Sequence, residues 1–237
     1  MTTEVKKKEK IVVIYEKIFS GQDITQGRAN FWDEFFLLKP NIKSLNALFE
    51  KFSPDSIDLF QPQFQRLFNQ CIVYINQQNI SKIANAIQTF DCILLSLFKI
   101  KSDSLILYLT NNDDPIFITK SVINAFNYIF TQTKCHLLKV LILNSISLLI
   151  SLYPETSQNP FILSILNSFS FIDQLKNIIL DHNQRLTLGK YSCQIFGILL
   201  SYRVDNNPLT LFLTQLNDEI ILNGLSFLIS HSLSQAN

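Results

Sequence analysis

The sequence is poor in charged residues. Lys, Arg, Asp and Glu make up 16% of the 237 residues, whereas ordinary soluble domains contain about 25%. The 20 basic and 19 acidic side chains leave a formal net charge of +1, so no overall field concentrates nucleic acid, and the sequence predicts no nucleic-acid partner. Hydrophobic residues make up 47%, which excludes an intrinsically disordered chain.

Residues typical of catalytic and metal sites are also scarce. The chain has three histidines and five glycines, and no H-E-x-x-H, G-x-S-x-G, Walker or G-x-G-x-x-G motif. Cys135 and His136 are neighbours that point about 100° apart on a helix, so they cannot readily pair as thiol and base. Asp181 and His182 are typical of a connecting turn with a helix cap. The sequence therefore predicts a protein that is not an enzyme, with no cofactor and no metal. A small-molecule enzyme that uses Asp181 and His182 is the least favoured alternative.

Cysteine pairs are absent. Cys71, Cys92, Cys135 and Cys193 lie far apart, each in an apolar stretch, and no C-x-x-C motif occurs. This pattern predicts free, buried thiols in a reducing cytosol.

No apolar run reaches the roughly 20 residues that a bilayer crossing needs. The longest, Leu137–Tyr153, contains Lys139 and Asn144 and is predicted to be a core helix. The N-terminus lacks a small-residue cleavage site, so we expect no signal peptide. The alternative is a membrane-associated helical protein whose apolar helices near 137–153 and 192–201 embed in or lie on the bilayer.

Apolar residues recur at helical spacing almost throughout. Ile83, Ile87 and Phe90, for example, fall on one helix face, and no segment shows the alternation of a strand. The fold is therefore predicted to be all-α. The predicted helices lie near 5–19, 29–38, 42–51, 62–78, 81–99, 103–111, 115–131, 134–152, 160–168, 170–180, 184–203, 208–215 and 217–234.

Prolines mark where several predicted helices start and where others stop. Four of them follow a residue suited to cap a helix, and proline fits the first helical position because it lacks the N–H that would go unpaired there. These pairs are Ser53-Pro54, Asp114-Pro115, Asn159-Pro160 and Asn207-Pro208. Pro40 and Pro154 follow apolar runs and should end them.

About a dozen short helices with apolar residues on more than one face predict an armadillo- or HEAT-like α-solenoid of stacked helix pairs. No period of about 34 or 42 residues occurs, which disfavours tetratricopeptide repeats. A globular helical bundle is the alternative. No segment resembles a linker, so we expect a single armadillo-like helical domain over residues 1–237, with 1–8 as a flexible basic terminus. That terminus is either solvated or in weak contact with an anionic membrane surface.

Phe31 and Trp32 belong to an aromatic cluster in the second predicted helix, with Phe35 and Phe36. Core packing is the first interpretation of this cluster. The alternative is an exposed partner-binding hot spot.

Short motifs along the chain resemble, in order, those of the armadillo-like helical domain-containing protein 3 family. The N-terminal matches are Tyr15, Ile18, Phe19, Phe31, Trp32, Glu34, Phe36, Leu37 and Lys39. Later matches are Leu67, Phe68, Cys71, Asn85, Ala86, Gln88, Thr89, Ser157-Gln158-Asn159, Tyr202-Arg203, Asn207-Pro208 and Leu222-Asn223-Gly224. The sequence departs from the family pattern at Leu209, where a tyrosine is expected, and at Leu188-Gly189, where His-Gly is expected.

This resemblance implies a non-enzymatic scaffold in the cytoplasm, associated with Golgi membranes and supporting Golgi maintenance and secretion. The implied partners are a phosphatidylinositol 4-kinase and an Arf guanine-nucleotide exchange factor. Tyr202, Arg203 and Asn207 join Phe31 and Trp32 as candidate partner-binding residues. The alternative for Arg203 is a structural role, in which it pairs with a neighbouring carboxylate or caps the carbonyls at the end of a helix.

Members of this family are longer and carry a large C-terminal region. The resemblance therefore implies an N-terminal portion or a truncated member. We expect the last predicted helices, over 209–233, to keep an exposed apolar face where a longer relative continues its stack.

Overall fold

The computed structural model describes residues 9–23, 25, 28–52, 58–100, 115–151, 160–201 and 226. Within these residues the regular structure is helical and contains no strand, which confirms the predicted all-α fold. The helix predicted at 103–111 lies outside the described residues. The helices predicted at 208–215 and 217–234 also lie outside the described residues, apart from Ser226. The same holds for the predicted helix starts at Ser53-Pro54 and Asn207-Pro208.

The chain forms two compact units, Met1–Asp113 and Asp114–Asn237. In the described part of each unit, helices pack against one another around apolar side chains. The single domain over 1–237 and the stacked solenoid arrangement stay predictions.

In the first unit the described residues form five α-helices. They are α1 (Lys10–Phe19), α2 (Phe31–Leu37), α3 (Ile42–Phe49), α4 (Gln61–Ile75) and α5 (Ile80–Ile100). A short connection joins α4 to α5, and the two pack together as a helical hairpin. Helices α2 and α3 pack on α5, and α1 packs on α3. Helix α1 and the start of α2 contribute residues to the surface described below.

Some helix boundaries differ from the predictions. Helix α1 begins at Lys10 rather than at residue 5, because Glu9 has extended backbone angles (φ −59°, ψ 143°) and Ile11 is the first apolar residue that α1 buries. Helix α4 ends at Ile75 rather than at 78, where the Asn76 side chain donates a hydrogen bond to the Ile72 carbonyl (2.9 Å) and closes the last turn.

Aromatic rings fill the core where α1, α3 and α4 meet. The Phe19 ring centroid lies 5.2 Å from that of Phe49 and 4.9 Å from that of Phe64. Phe49 and Phe64 are also 4.9 Å apart, and all three side chains are buried. Such ring pairs contribute about 0.5–1.5 kcal/mol each beyond their area burial.

In the second unit the described residues also form five helices. They are α6 (Pro115–Gln132), α7 (His136–Ser151), α8 (Pro160–Leu166), α9 (Phe169–Leu180) and α10 (His182–Ser201). Helices α6 and α8 begin at a proline, as predicted, while the residues proposed to cap them, Asp114 and Asn159, lie outside the described residues. Helix α10 packs against α9 and α7, and the buried Ser192 hydroxyl donates to the Leu175 carbonyl (2.8 Å), which ties α10 to α9.

Helix α7 covers most of the apolar run that could have suggested a membrane segment. It lies in the core of its unit, as predicted, and buries seven side chains: Leu138, Ile142, Leu143, Ser145, Ile146, Leu149 and Ile150. The Ser145 hydroxyl bonds back to the Leu141 carbonyl (3.0 Å), so its polar group is satisfied. In the part of the chain that the structure describes, no helix combines the length and apolar character needed to cross a membrane.

All four cysteines are free. Cys71 and Cys92 are buried, as predicted, whereas the prediction of burial is wrong for Cys135 and Cys193, which are half-buried. Cys135 lies in the connection before α7. Cys193 follows the buried Ser192 on α10, and its side chain lies at the edge of the buried face of that helix.

Candidate partner-binding surface

Helix α2 carries the two candidate binding residues that the structure describes. Asp33 and Glu34 lie in its first turn, where acidic side chains favour a helix start. Phe31 is buried, and Trp32, the next residue, is half-buried at the surface. The structure therefore places Phe31 mainly in the core and Trp32 at its edge, and a role for either in partner binding stays a prediction.

Trp32 packs between its own helix and an arginine of α4. Its ring meets the Phe35 ring edge-on at 5.5 Å, and the guanidinium carbon of Arg66 lies 5.8 Å from its centroid. Arg66 also donates to the Thr25 hydroxyl (2.6 Å) and lies 3.9 Å from an Asp23 carboxylate oxygen. Arg66 thus connects α4, the turn after α1 and Trp32.

A small cavity of about 120 Å³ lies beside Trp32. Its other lining residues come from the end of α1, the turn after it and the start of α4: Ile18, Gly21, Gln22, Pro62, Gln63 and Arg66. Gly21 has a φ of +76°, a left-handed conformation that favours glycine. The buried side-chain oxygen of Gln63 accepts no hydrogen bond from the described residues.

A wider groove of about 440 Å³ adjoins this cavity, and Gln22 lines both. We name it the basic groove. Its lining residues are Lys10, Val13, Ile14, Lys17, Gln22, Asp23, Arg28 and Phe31. The three basic residues are exposed, and the apolar ones are half-buried or buried. The groove therefore combines an apolar floor with a positively charged rim.

The charges around the basic groove are unevenly compensated. Lys10 lies 3.9 Å from the Glu34 carboxylate, with both side chains exposed, and Asp23 lies near Arg66. Lys17 and Arg28 form no side-chain hydrogen bond or ion pair with the described part of the chain. Among the described residues, no side chain therefore competes with an incoming anionic group for these two cations.

A polar cluster fixes α2 to α4 and α5. The Lys82 ammonium donates to the Asp33 carboxylate and lies 5.5 Å from the Tyr74 ring centroid. Hydrogen bonds from Lys82 and then from Tyr74 hold the pKa of Asp33 below its usual value. Burial, with a smaller effect of Asp33, raises the pKa of Tyr74 to about 12. The Asn85 side chain also donates to the Phe36 carbonyl (2.8 Å). These contacts set the position of α2 and so of Trp32.

Of the residues considered for catalysis, Asp181 lies between α9 and α10 and serves as a helix cap, as predicted, whereas His182 is already the first residue of α10. An Asp181 carboxylate oxygen accepts a hydrogen bond from the Gln184 backbone N–H (2.9 Å) and caps α10. That bond is the main cause of the lowered pKa of Asp181. His182 Nδ1 lies 3.4 Å from an Arg185 nitrogen. Among the described residues, no group of three or more His, Cys, Asp or Glu side chains could hold a metal ion.

The sequence predictions and the structural surface overlap only in part. Tyr202, Arg203 and Asn207 lie outside the described residues. Sequence reasoning missed Lys17, Arg28 and Arg66. No local motif links these residues, which the fold places at the basic groove (Lys17 and Arg28) and at the cavity beside Trp32 (Arg66).

Three curated proteins named "Armadillo-like helical domain-containing protein 3" are similar to this chain. The one from Danio rerio is 29% identical over an alignment of 237 positions, which covers 97% of this chain and 34% of that protein. Those from Homo sapiens and Xenopus laevis are each 26% identical over 236 residues. The chain therefore spans about a third of the length of these relatives. No family model matches the chain, and no solved structure does. The resemblance inferred from the sequence motifs is confirmed.

Proposed function

We propose that this chain is a non-enzymatic helical scaffold that binds protein partners. The observation that carries the proposal is similarity over 97% of the chain to proteins named for an armadillo-like helical domain. Stacked-helix proteins offer extended surfaces for binding, and a few aromatic or arginine anchors supply most of the affinity at such surfaces.

We further propose that this chain is cytoplasmic, is associated with Golgi membranes and supports Golgi maintenance and secretion. A phosphatidylinositol 4-kinase and an Arf guanine-nucleotide exchange factor are the proposed partners. Support comes from the family resemblance of the sequence motifs. Trp32 and Arg66 support protein binding in general, because tryptophan and arginine are enriched among residues that dominate binding energy, and the two lie together beside a cavity.

The test is binding of the purified chain to the purified kinase and to the purified exchange factor of the source organism. We expect the immobilised chain to retain at least one of them. Trp32→Ala should weaken retention, whereas Tyr128→Ala, which truncates an exposed aromatic residue of the second unit, should not. Retention of neither protein by a folded chain would refute the proposed partners.

A second measurement addresses location. The chain fused to a fluorescent protein should overlap with a Golgi marker in cells. A uniform distribution through the cytoplasm would contradict Golgi association, while leaving the binding measurement as an independent test of the scaffold function.

A further inference from the structure

We propose that the basic groove binds a peptide segment of a protein partner in which carboxylates flank an aliphatic or aromatic side chain. This inference rests on the proposed scaffold function. It adds the surface used for binding and the chemistry of the segment that the surface recognises.

The floor of the groove explains the apolar part of this segment. Helix α1 directs Ile11, Tyr15 and Ile18 into the core, while Val13 and Ile14 remain half-buried in the groove. An apolar side chain placed between them would remove further apolar surface from water, which stabilises a complex by roughly 25 cal/mol per Å² of buried area.

The rim explains the carboxylates. Lys17 and Arg28 have no ionic partner among the described residues, and Lys10 shares only a long, exposed contact with Glu34. Asp23, the acidic residue of the lining, already lies near Arg66. A single exposed ion pair is weak, so charge here serves mainly to select an acidic segment and orient it over the apolar floor.

The shape and surroundings of the groove favour a peptide over a membrane surface. A concave site accepts a protruding side chain, which a flat bilayer does not offer. Glu16 and Glu34 are exposed on the same two helices that carry the groove. Alternating charges therefore reduce the field that attracts a protein to an anionic leaflet, an attraction of only about 1 kcal/mol per basic residue near the surface.

The experiment selects binders from a random-peptide display library against the purified, immobilised chain. The test variant carries Lys17→Glu and Arg28→Glu. The matched control carries Lys43→Glu and Lys51→Glu, an equal charge change at exposed lysines that line neither the groove nor the cavity. Circular dichroism verifies that both remain helical.

The selected peptides should be enriched in Asp or Glu beside Leu, Ile or Phe. They should bind the wild type and the control equally, and the test variant about tenfold more weakly, since each reversal replaces an attraction by a repulsion of similar size. Val13→Ser should weaken binding severalfold through the apolar floor.

Three results would overturn the proposal: no enrichment of acidic and apolar peptides, equal binding by the charge-reversed variant, or Lys17- and Arg28-dependent binding only to vesicles containing phosphatidylserine. The library contains neither the kinase nor the exchange factor. A chain that selects the expected peptides yet retains neither protein would refute the proposed partners and support the groove. Retention that is unchanged in the charge-reversed variant would refute the groove alone.

Discussion

Asp33, Lys82 and Tyr74 show how one polar cluster can position a surface helix. The Lys82 side chain is only 15% exposed, whereas that of Asp33 is 47% exposed. An ammonium group withdrawn from water needs a partner for its charge, and here a carboxylate and the face of an aromatic ring supply it. The packing of α2 against α4 and α5 therefore depends on the ionisation of the Asp33 carboxylate.

This arrangement predicts a pH dependence of stability. Because the pKa of Asp33 is lowered in the folded state, the contribution of Asp33 is present above its unfolded pKa of about 3.9 and is lost as pH falls through the lower folded pKa. Asp33→Asn should reduce the free energy of unfolding near neutral pH and flatten its decline in acid. Urea unfolding at a series of pH values measures both effects.

Tyr74 provides a second check of the same cluster, on the alkaline side. Its pKa is raised to about 12, so its contribution is complete below the unfolded pKa of about 10 and is lost as pH rises toward the folded value. Tyr74→Phe should remove this alkaline component and weaken the acid one without abolishing it, because the Lys82 hydrogen bond, the larger cause of the lowered pKa of Asp33, remains. If Asp33→Asn and the wild type gave parallel curves in acid, the proposed ionic role of the cluster would be wrong.

The cysteines predict a second residue-scale outcome, an order of alkylation. Cys71 and Cys92 are buried, and burial raises the pKa of Cys92 to about 12 and that of the half-buried Cys193 to about 11. Thiolates are the reactive form. We therefore expect iodoacetamide to modify Cys135, in the turn before α7, first in the native protein.

Mass spectrometry of digested, time-resolved samples measures this order. In urea, all four cysteines should react at similar rates, which serves as the control. Native-state labelling of Cys92 as fast as that of Cys135 would contradict the burial described for α5.

At the scale of the helices, Phe64 is the residue through which α4 joins α1 and α3. It is fully buried and its ring meets both Phe19 and Phe49. Phe64→Ala should lower the free energy of unfolding by about 3–5 kcal/mol, because it removes a buried ring and leaves a cavity. Leu59→Ala, at a position 76% exposed, should change it by less than about 0.5 kcal/mol. Equal effects in urea unfolding would contradict this packing.

Helices were the most predictable feature of the sequence, because one periodic pattern specifies both a helix and its buried face. The spacing of Ile83, Ile87 and Phe90 predicted helix α5, and all three side chains are buried. Boundaries were less predictable where they depend on a single bond, such as the one from Asn76 that closes α4.

The candidate surface was only partly predictable, because it depends on contacts between distant residues. The aromatic pattern identified Trp32, but the neighbouring Arg66 lies 34 positions further along the chain. Likewise, Lys82 reaches Asp33 across 49 positions. Isolated charged residues carry no periodic signal, so only the packing of α4 and α5 against α2 reveals these partners.

At the scale of the whole molecule, the chain divides into two compact units, Met1–Asp113 and Asp114–Asn237, where the sequence predicts a single domain. The question is whether the first unit can fold without the second. In the first unit, α1 to α5 pack around fully buried side chains such as Leu45, Phe64 and Leu67. A length of about 110 residues is also typical of an independent domain. We therefore expect residues 1–113, expressed alone, to be helical and to unfold cooperatively in urea.

Phe64→Ala distinguishes a native core in this fragment from loose helical collapse. In a packed core the substitution should lower the unfolding midpoint and keep the slope of the transition, because the surface exposed on unfolding hardly changes. A collapsed, fluctuating state would instead bind hydrophobic dyes and unfold gradually, with little response to the loss of one ring. That outcome would show that the first unit needs the rest of the chain in order to fold. It would favour the predicted single domain over residues 1–237.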